Sequence, residues 1–300
     1  GVQTCALPIS VTTAPSGSIN FGQRPFSYTV PTGFVALNTY NLPTPTIGAT
    51  ASSQANKYMD ISLYTGTGAT QSITNSGSMQ PDLVWTKGRG YVWDNNLFDA
   101  VRGATKILIS NATSAESTNA NSLTAFNSNG FTLGSEAGVN NNGSTYVGWQ
   151  WKANGSGSSN TAGSITSTVS ANTTSGFSVV TYTSTTGTVG HGLGVTPSVI
   201  IMKARNLTDQ WTVGHQYLNG GSSPWNYGLP LNTDAGIQTN GGFWNNTAPT
   251  STVFSQGSWD SGYTKVAYCF AEVAGFSKFG TYTGNGSADG PFRSEEHTSE

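Results

Sequence analysis

Asp94, Asn96 and Asp99, in the stretch WDNNLFDA, are oxygen donors close together in one loop. Carboxylates and amides this close together can ligate a hard cation such as calcium. Their spacing is not that of an EF-hand loop, and no matching cluster recurs downstream, so a polar loop is the default reading and calcium the alternative. Two carboxylates held roughly 5–10 Å apart would serve a glycosidase. The acids available for that work, Asp82, Asp99, Glu116 and Glu136, are scattered singly. His191 and His215 are not at metal-ligand spacing and read as surface or turn histidines. The chain has no G-x-S-x-G, no H-E-x-x-H and no phosphate-binding loop. GHGLG at 190–194 reads as a loop between strands. The expectation is a non-enzyme with no required cofactor. Tryptophan rings can stack on sugars, and Trp93, Trp211, Trp225 and Trp244 are the candidates for such contact.

These side chains need a scaffold, and the composition says which kind. Charged residues are 9% of the chain, against roughly 25% in ordinary globular domains. Aromatics are 11%, and 38 glycines and 12 prolines punctuate short alternating runs. That combination reads as an all-β protein with many turns. Arg293–Glu300 holds three of the fourteen acidic residues and one of the twelve basic ones, so the body before it carries eleven of each. A neutral body offers no basic surface for phosphate backbones, and nucleic-acid binding is not expected. No apolar run reaches the roughly 18 residues of a membrane-spanning helix, so no membrane contact is expected. Of the two cysteines, Cys5 lies in the first nine residues and Cys269 stands alone in the body.

The chain repeats itself. DISLYTGTG (60–68) recurs as SVVTYTSTTG (178–187) and begins again as FGTYTGNGS (279–287). QPDLVWTKGR (80–89) parallels TPSVIIMKAR (196–205), with Lys87 matching Lys203 and Asp82 replaced by Ser198. GFTLGS (130–135) parallels VFSQGS (253–258), and TYVGWQWKA (145–153) parallels TKVAYCFAE (264–272). Four landmarks in one order mark a duplication. The units span 57–153 and 164–274, a Gly/Ser-rich linker at 154–163 separates them, and a third unit starts over 279–292. In TYVGWQWKA, Val147, Trp149 and Trp151 share a face that stays large and apolar in the second copy. The alternation assigns that face to a sandwich core; the other reading of the tryptophans is a sugar-stacking platform. Helix is nearly absent: 97–110 reads as a turn followed by a strand, and 113–126 as one helical turn capped by Ser114.

Both ends differ from the body. Gly1–Ile9 and Arg293–Glu300 each back-translate into sequencing adapter, one the reverse complement of the other. They are expected to be scars, and the chain an internal fragment of a longer frame. NFGQRPFSYTVPTGFVALNT (20–39) resembles the closing strands of a SPRY domain, whose tail would occupy 10–47. LYTGTG, QPDLVWTK, LFDAVRGA, NGFTLGS and TYVGWQWKA in the first unit, and VGHGLGVTPSVIIMKAR with FWNNTAPTSTVFS in the second, resemble a domain of unknown function that follows SPRY domains in tailed-phage proteins.

That resemblance implies tandem β-sandwich modules of concanavalin or jelly-roll type on virion or tail-associated proteins. The expected function is a non-catalytic structural or adhesion segment binding host surface glycans. The alternative is the accessory carbohydrate-binding part of a polysaccharide-degrading enzyme. Expected partners are host cell-surface glycans, other virion proteins and further copies of the chain, on the virion or otherwise outside the cell.

Overall fold

The computed structural model describes residues 45–287. In its first half, nine strands follow in order: β1 (Met59–Thr65), β2 (Gln71–Thr74), β3 (Leu83–Gly88), β4 (Asn96–Asp99), β5 (Lys106–Ile109), β6 (Ser117–Thr118), β7 (Leu123–Asn127), β8 (Gly130–Leu133) and β9 (Thr145–Trp151). One short helix, α1 (Ala137–Asn140), interrupts them. The second half runs through β10 (Ser158–Asn160), β11 (Ser167–Asn172), β12 (Phe177–Thr183), β13 (Gly187–Gly190), β14 (Val199–Ala204), β15 (Thr212–His215), β16 (Tyr227–Pro230), β17 (Gln238–Thr239), β18 (Val253–Gln256) and β19 (Thr264–Phe270), with a second short helix, α2 (Gly241–Trp244). The chain is all-β, and its strands pair antiparallel throughout the named ladders.

The duplication is written into the strand order. The first large sheet runs β1-β9-β3-β4-β5-β6, and the second contains β12-β19-β14-β15-β16-β17 in the equivalent sequence, preceded by β10-β11. Each large sheet is covered on one face by a smaller one, β2-β8-β7 in the first half and β13-β18 in the second. The registers match too. Leu83 pairs with Trp151 as Val199 pairs with Phe270, and Met59 with Trp151 as Phe177 with Phe270.

Three apolar clusters follow from this layering. Val84, Phe98, Phe131 and Leu133 fill the first sandwich. Val180, Ile200, Met202, Phe254 and Ala267 fill the second, together with Trp225, Phe243 and Trp244. The third cluster lies between the sandwiches: Leu83, Leu97 and Leu108 from one meet Val179, Trp211, Val266 and Tyr268 from the other. From Thr46 onward the described residues form one compact unit. The two large sheets are therefore apolar on both faces, as central layers must be.

This four-layer stack reverses the expected orientation of β9. Tyr146, Gly148 and Gln150 face the core of the first sandwich and are buried, while Val147, Trp149 and Trp151 face outward and are half-buried. Gly148 is where the Phe131 ring comes close: a Cβ there would sit 3.2 Å from it. Gln150 is fully buried, yet satisfied. Its amide donates to Ser62 Oγ at 2.8 Å and accepts from Asn75 at 3.1 Å.

Other expectations change as well. Residues 154–163, read as a flexible linker, carry β10, which pairs with β11. The expected helical turn at 113–126 is replaced by β6 and the start of β7. His191 is no surface residue. Its ring is fully buried, lies 3.2 Å from the Thr250 carbonyl, and burial holds its pKa below the usual value. Most of the segment expected to be a SPRY-like tail, the terminal segments 1–9 and 293–300, and the last part of the expected third unit lie outside the described residues. Among the described residues, no helix is long and apolar enough to cross a membrane.

Candidate functional site

The seam between the sandwiches is held by a buried ionic network that starts on β4. Alternation along β4 sends Asn96 and Phe98 toward the first core, and Leu97 and Asp99 toward the second sandwich. Three residues on, after the turn, Arg102 folds back onto Asp99, Nε to Oδ2 at 2.5 Å. Its remaining donors reach Glu116 Oε2 at 3.1 Å, the Leu97 carbonyl at 3.0 Å and the Tyr268 hydroxyl at 3.3 Å. Arg205, from the second half, closes the network with two 2.9 Å bonds to Glu116. Burial alone would weaken the Arg102 charge, but Asp99, Tyr268 and Glu116 together outweigh it and its pKa is raised. Burial also works against the Glu116 carboxylate; the Arg205 hydrogen bonds and the Arg102 charge prevail and hold its pKa low.

This network accounts for two of the four acids considered for glycosidase chemistry. Asp82 is a third. It is buried and accepts from the backbone of Ala153 at 2.7 Å and of Gly155 at 3.1 Å, fixing the chain as it leaves β9. Burial raises its pKa against the pull of Gln80 and those two amides. Glu136 caps α1 by accepting from Gly138 N at 2.9 Å. The four are thus tied to three local jobs, with Asp99 and Glu116 sharing the Arg102 network.

The structure also separates the expected calcium ligands. Asp94 is exposed and accepts from Asn111 at 3.0 Å. Asn96 points into the first sandwich, while Asp99 points the opposite way into the seam and is bound to Arg102. These three do not converge, and no group of three or more His, Cys, Asp or Glu among the described residues could hold a metal ion.

Three of the four candidate tryptophans are core residues rather than ligand contacts. Trp211 is fully buried in the seam, stacked on Tyr268 with centroids 6.4 Å apart, and its indole donates to the Ile109 carbonyl at 2.8 Å. Trp225 and Trp244 meet edge to face at 5.4 Å inside the second sandwich. They press so closely on β15 that a Cβ on Gly214 would lie 2.5 Å from one ring and 2.8 Å from the other. Only Trp93 is partly open, at the edge of a 370 Å³ cleft with Asp94, Asn96 and Glu136.

The accessible aromatics are different ones. On the outward face of the first large sheet, Ile61, Trp149 and Trp85 lie side by side in register across β1, β9 and β3. Trp85 and Trp149 pack edge to face at 6.3 Å and both are half-buried; Ile61 is 50% exposed. Trp85 borders two clefts. One, of 490 Å³, is polar in outline: Asn95, Asn111, Asn232, Thr233 and Asp234 line it beside the ring. The other, of 370 Å³, is apolar, with Trp151, Phe177, Ile201, Phe270, Phe276 and Phe279 around it. In the polar cleft, Asn95 N is bound to Asn111 Oδ1 at 2.8 Å and Asn232 Oδ1 accepts from Trp211 N at 2.8 Å, so these amides are held in place. Asn95 Oδ1 is buried without a hydrogen-bond partner.

Sequence reading passed over Trp85, because its equivalent in the second repeat is Ile201 and a repeat draws attention to what is kept. That loss of the ring in one copy was the available signal. Asn95 and Asn232 lie in different halves of the chain, so nothing local connects them.

No curated protein and no solved structure matches the chain. A family model matches residues 54–295, which take in both sandwiches and the seam as one unit. On that match, the chain belongs to the family described as Domain of unknown function (DUF7483).

Proposed function

We propose that this chain is a non-catalytic glycan-binding adhesion segment of a virion or phage tail-associated protein, and that it takes sugar in the polar cleft beside Trp85. The observation that carries this is the pairing of a half-exposed indole with amide and carboxyl side chains from both sandwiches, one of them, Asn95, holding an unused buried acceptor. A sugar presents an apolar face and a rim of hydroxyls. The first suits an aromatic ring and the second suits fixed amides. Trp149 and Ile61 extend the apolar strip beyond Trp85, enough for more than one residue of a polysaccharide. The motifs quoted above support the virion setting.

The test is a binding titration of the protein against a panel of neutral bacterial surface polysaccharides, followed by tryptophan fluorescence. Binding should weaken about tenfold in Trp85→Ala, equivalent to roughly 1.4 kcal/mol, and also in Asn95→Ala. A Trp85→Ala protein that folds normally and binds as tightly as the parent would remove this site from the reading.

A further inference from the structure

The second sandwich buries a small reactive cluster that the glycan reading does not use. On β19 the side chains of Lys265, Ala267 and Cys269 alternate into the core, so a lysine sits where the first repeat has Tyr146. Lys265 is 1% exposed, and its Nζ lies 3.6 Å from Oδ2 of Asp260, in the turn just before the strand. The same amine donates to the Trp259 carbonyl at 2.9 Å and lies 3.8 Å from Met202 Sδ. Asp209, after β14, acts on Asp260 and raises its pKa, and Trp259 anchors Asp209 through a 2.8 Å indole bond. Lys203, also buried, faces both acids but is held by the carbonyls of Ala204 and Leu207 at 2.8 and 3.1 Å. Amine and carboxyl are thus in contact, with the second carboxyl acting on both, within an aromatic and apolar surround.

We infer that Lys265 and Asp260 join in a spontaneous intramolecular amide, with Asp209 carrying the proton. The reactive forms are the free amine and the protonated acid. Burial pushes Lys265 down to about 8 and, with Asp209 adding to it, pushes Asp260 up to about 6. Both directions favour those forms. The Nζ lone pair adds to Cγ of protonated Asp260. Asp209 takes a proton from the nitrogen and delivers it to a hydroxyl on the same carbon. The Cγ–O bond then breaks and one water leaves, so an N–C bond replaces a C–O bond with no oxidant, reductant or cofactor. Fixed contact supplies the effective concentration that such a condensation lacks in solution. Exclusion of water removes the hydration that would keep the pair ionised.

The experiment is intact mass spectrometry of the full chain, unfolded after purification. The expected mass is that of the sequence less one water, with Lys265 resistant to trypsin and the loss placed by fragmentation on a ring joining residues 260 and 265. Asp260→Ala and Lys265→Arg should each restore the full mass, and Asp209→Asn should slow or abolish the loss. If those variants fail to fold, the mass of the parent protein still decides. The full sequence mass in folded parent protein would reduce the pair to an ordinary ion pair and overturn the inference. So would a water loss mapped to other residues. An Asp209→Asn protein that loses water as fast as the parent would overturn the proton-carrying role.

Discussion

The hydroxyl of Tyr268 donates a 2.8 Å hydrogen bond to the Asp99 carboxylate, 169 residues away and in the other sandwich. Burial lifts the tyrosine pKa well above its usual value, so the hydroxyl stays a donor. Tyr268 also stacks on Trp211 and touches Arg102. One ring thereby joins the apolar and the ionic parts of the seam.

Arg102→Met should be among the most damaging single changes. It leaves the buried Asp99 carboxylate without its cation and takes one of two cations from Glu116, which keeps Arg205. Breaking a buried pair by removing one partner costs about 3–5 kcal/mol. Urea denaturation should show the loss as a lower midpoint, and both halves should still unfold in one transition. Two separated transitions in the parent protein would contradict the shared seam.

Trp211→Ala and Trp85→Ala should behave in opposite ways. Truncating a buried large aromatic costs about 3–5 kcal/mol, so the first should destabilise strongly and leave glycan affinity, measured on the folded fraction, unchanged. The second removes a half-exposed ring and should cost less than about 1.5 kcal/mol while weakening binding. Parallel denaturation and titration of the two variants checks the contrast.

Gly214→Ala tests the packing of Trp225 and Trp244. The added methyl has no room, and one or both rings must move. Overpacking of this kind costs about 1–3 kcal/mol. A melting temperature equal to that of the parent would show that the rings yield freely.

Lys203 makes stability rise with alkaline pH. Burial lowers its pKa to about 8 from the ordinary 10.5, although Asp209 and Asp260 pull the other way. Between those values the unfolded chain binds more protons than the folded one, so the folded state gains as pH climbs from about 8 to 10.5. Below 8 the full penalty of charging a buried amine applies. Urea midpoints across this range should rise in the parent protein and rise less steeply in Lys203→Met.

The strand plan was legible because β-strands declare themselves by alternation and a duplicated chain declares itself twice. The matched landmarks became equivalent strands, β3 pairing with β9 as β14 pairs with β19. The face of β9 was not legible. Alternation identifies an apolar face, but a sheet buried on both sides has two, and Gln150 disguises one of them by satisfying itself inside the core. Asp99 read as part of a polar loop, and its place in a network with Arg102 was not legible, because Glu116, Arg205 and Tyr268 are remote in sequence. The polar cleft escaped for the same reason, since Trp85 meets Asn232 and Asp234 only once the sandwiches are stacked.

Across the seam, equivalent positions of the two repeats meet. Trp151 packs on Phe270, its own counterpart, at 6.2 Å, and the apolar cleft beside them is lined by both Trp85 and its counterpart Ile201 and both Met59 and its counterpart Phe177. Like meeting like is the geometry of an isologous contact, in which one surface is complementary to itself. The duplicated chain thus repeats within one molecule a feature of a self-complementary contact. Duplication frees each half to diverge while the other keeps the contact: one copy holds the Trp85 indole where the other holds Ile201, so the two halves do not present the same surface.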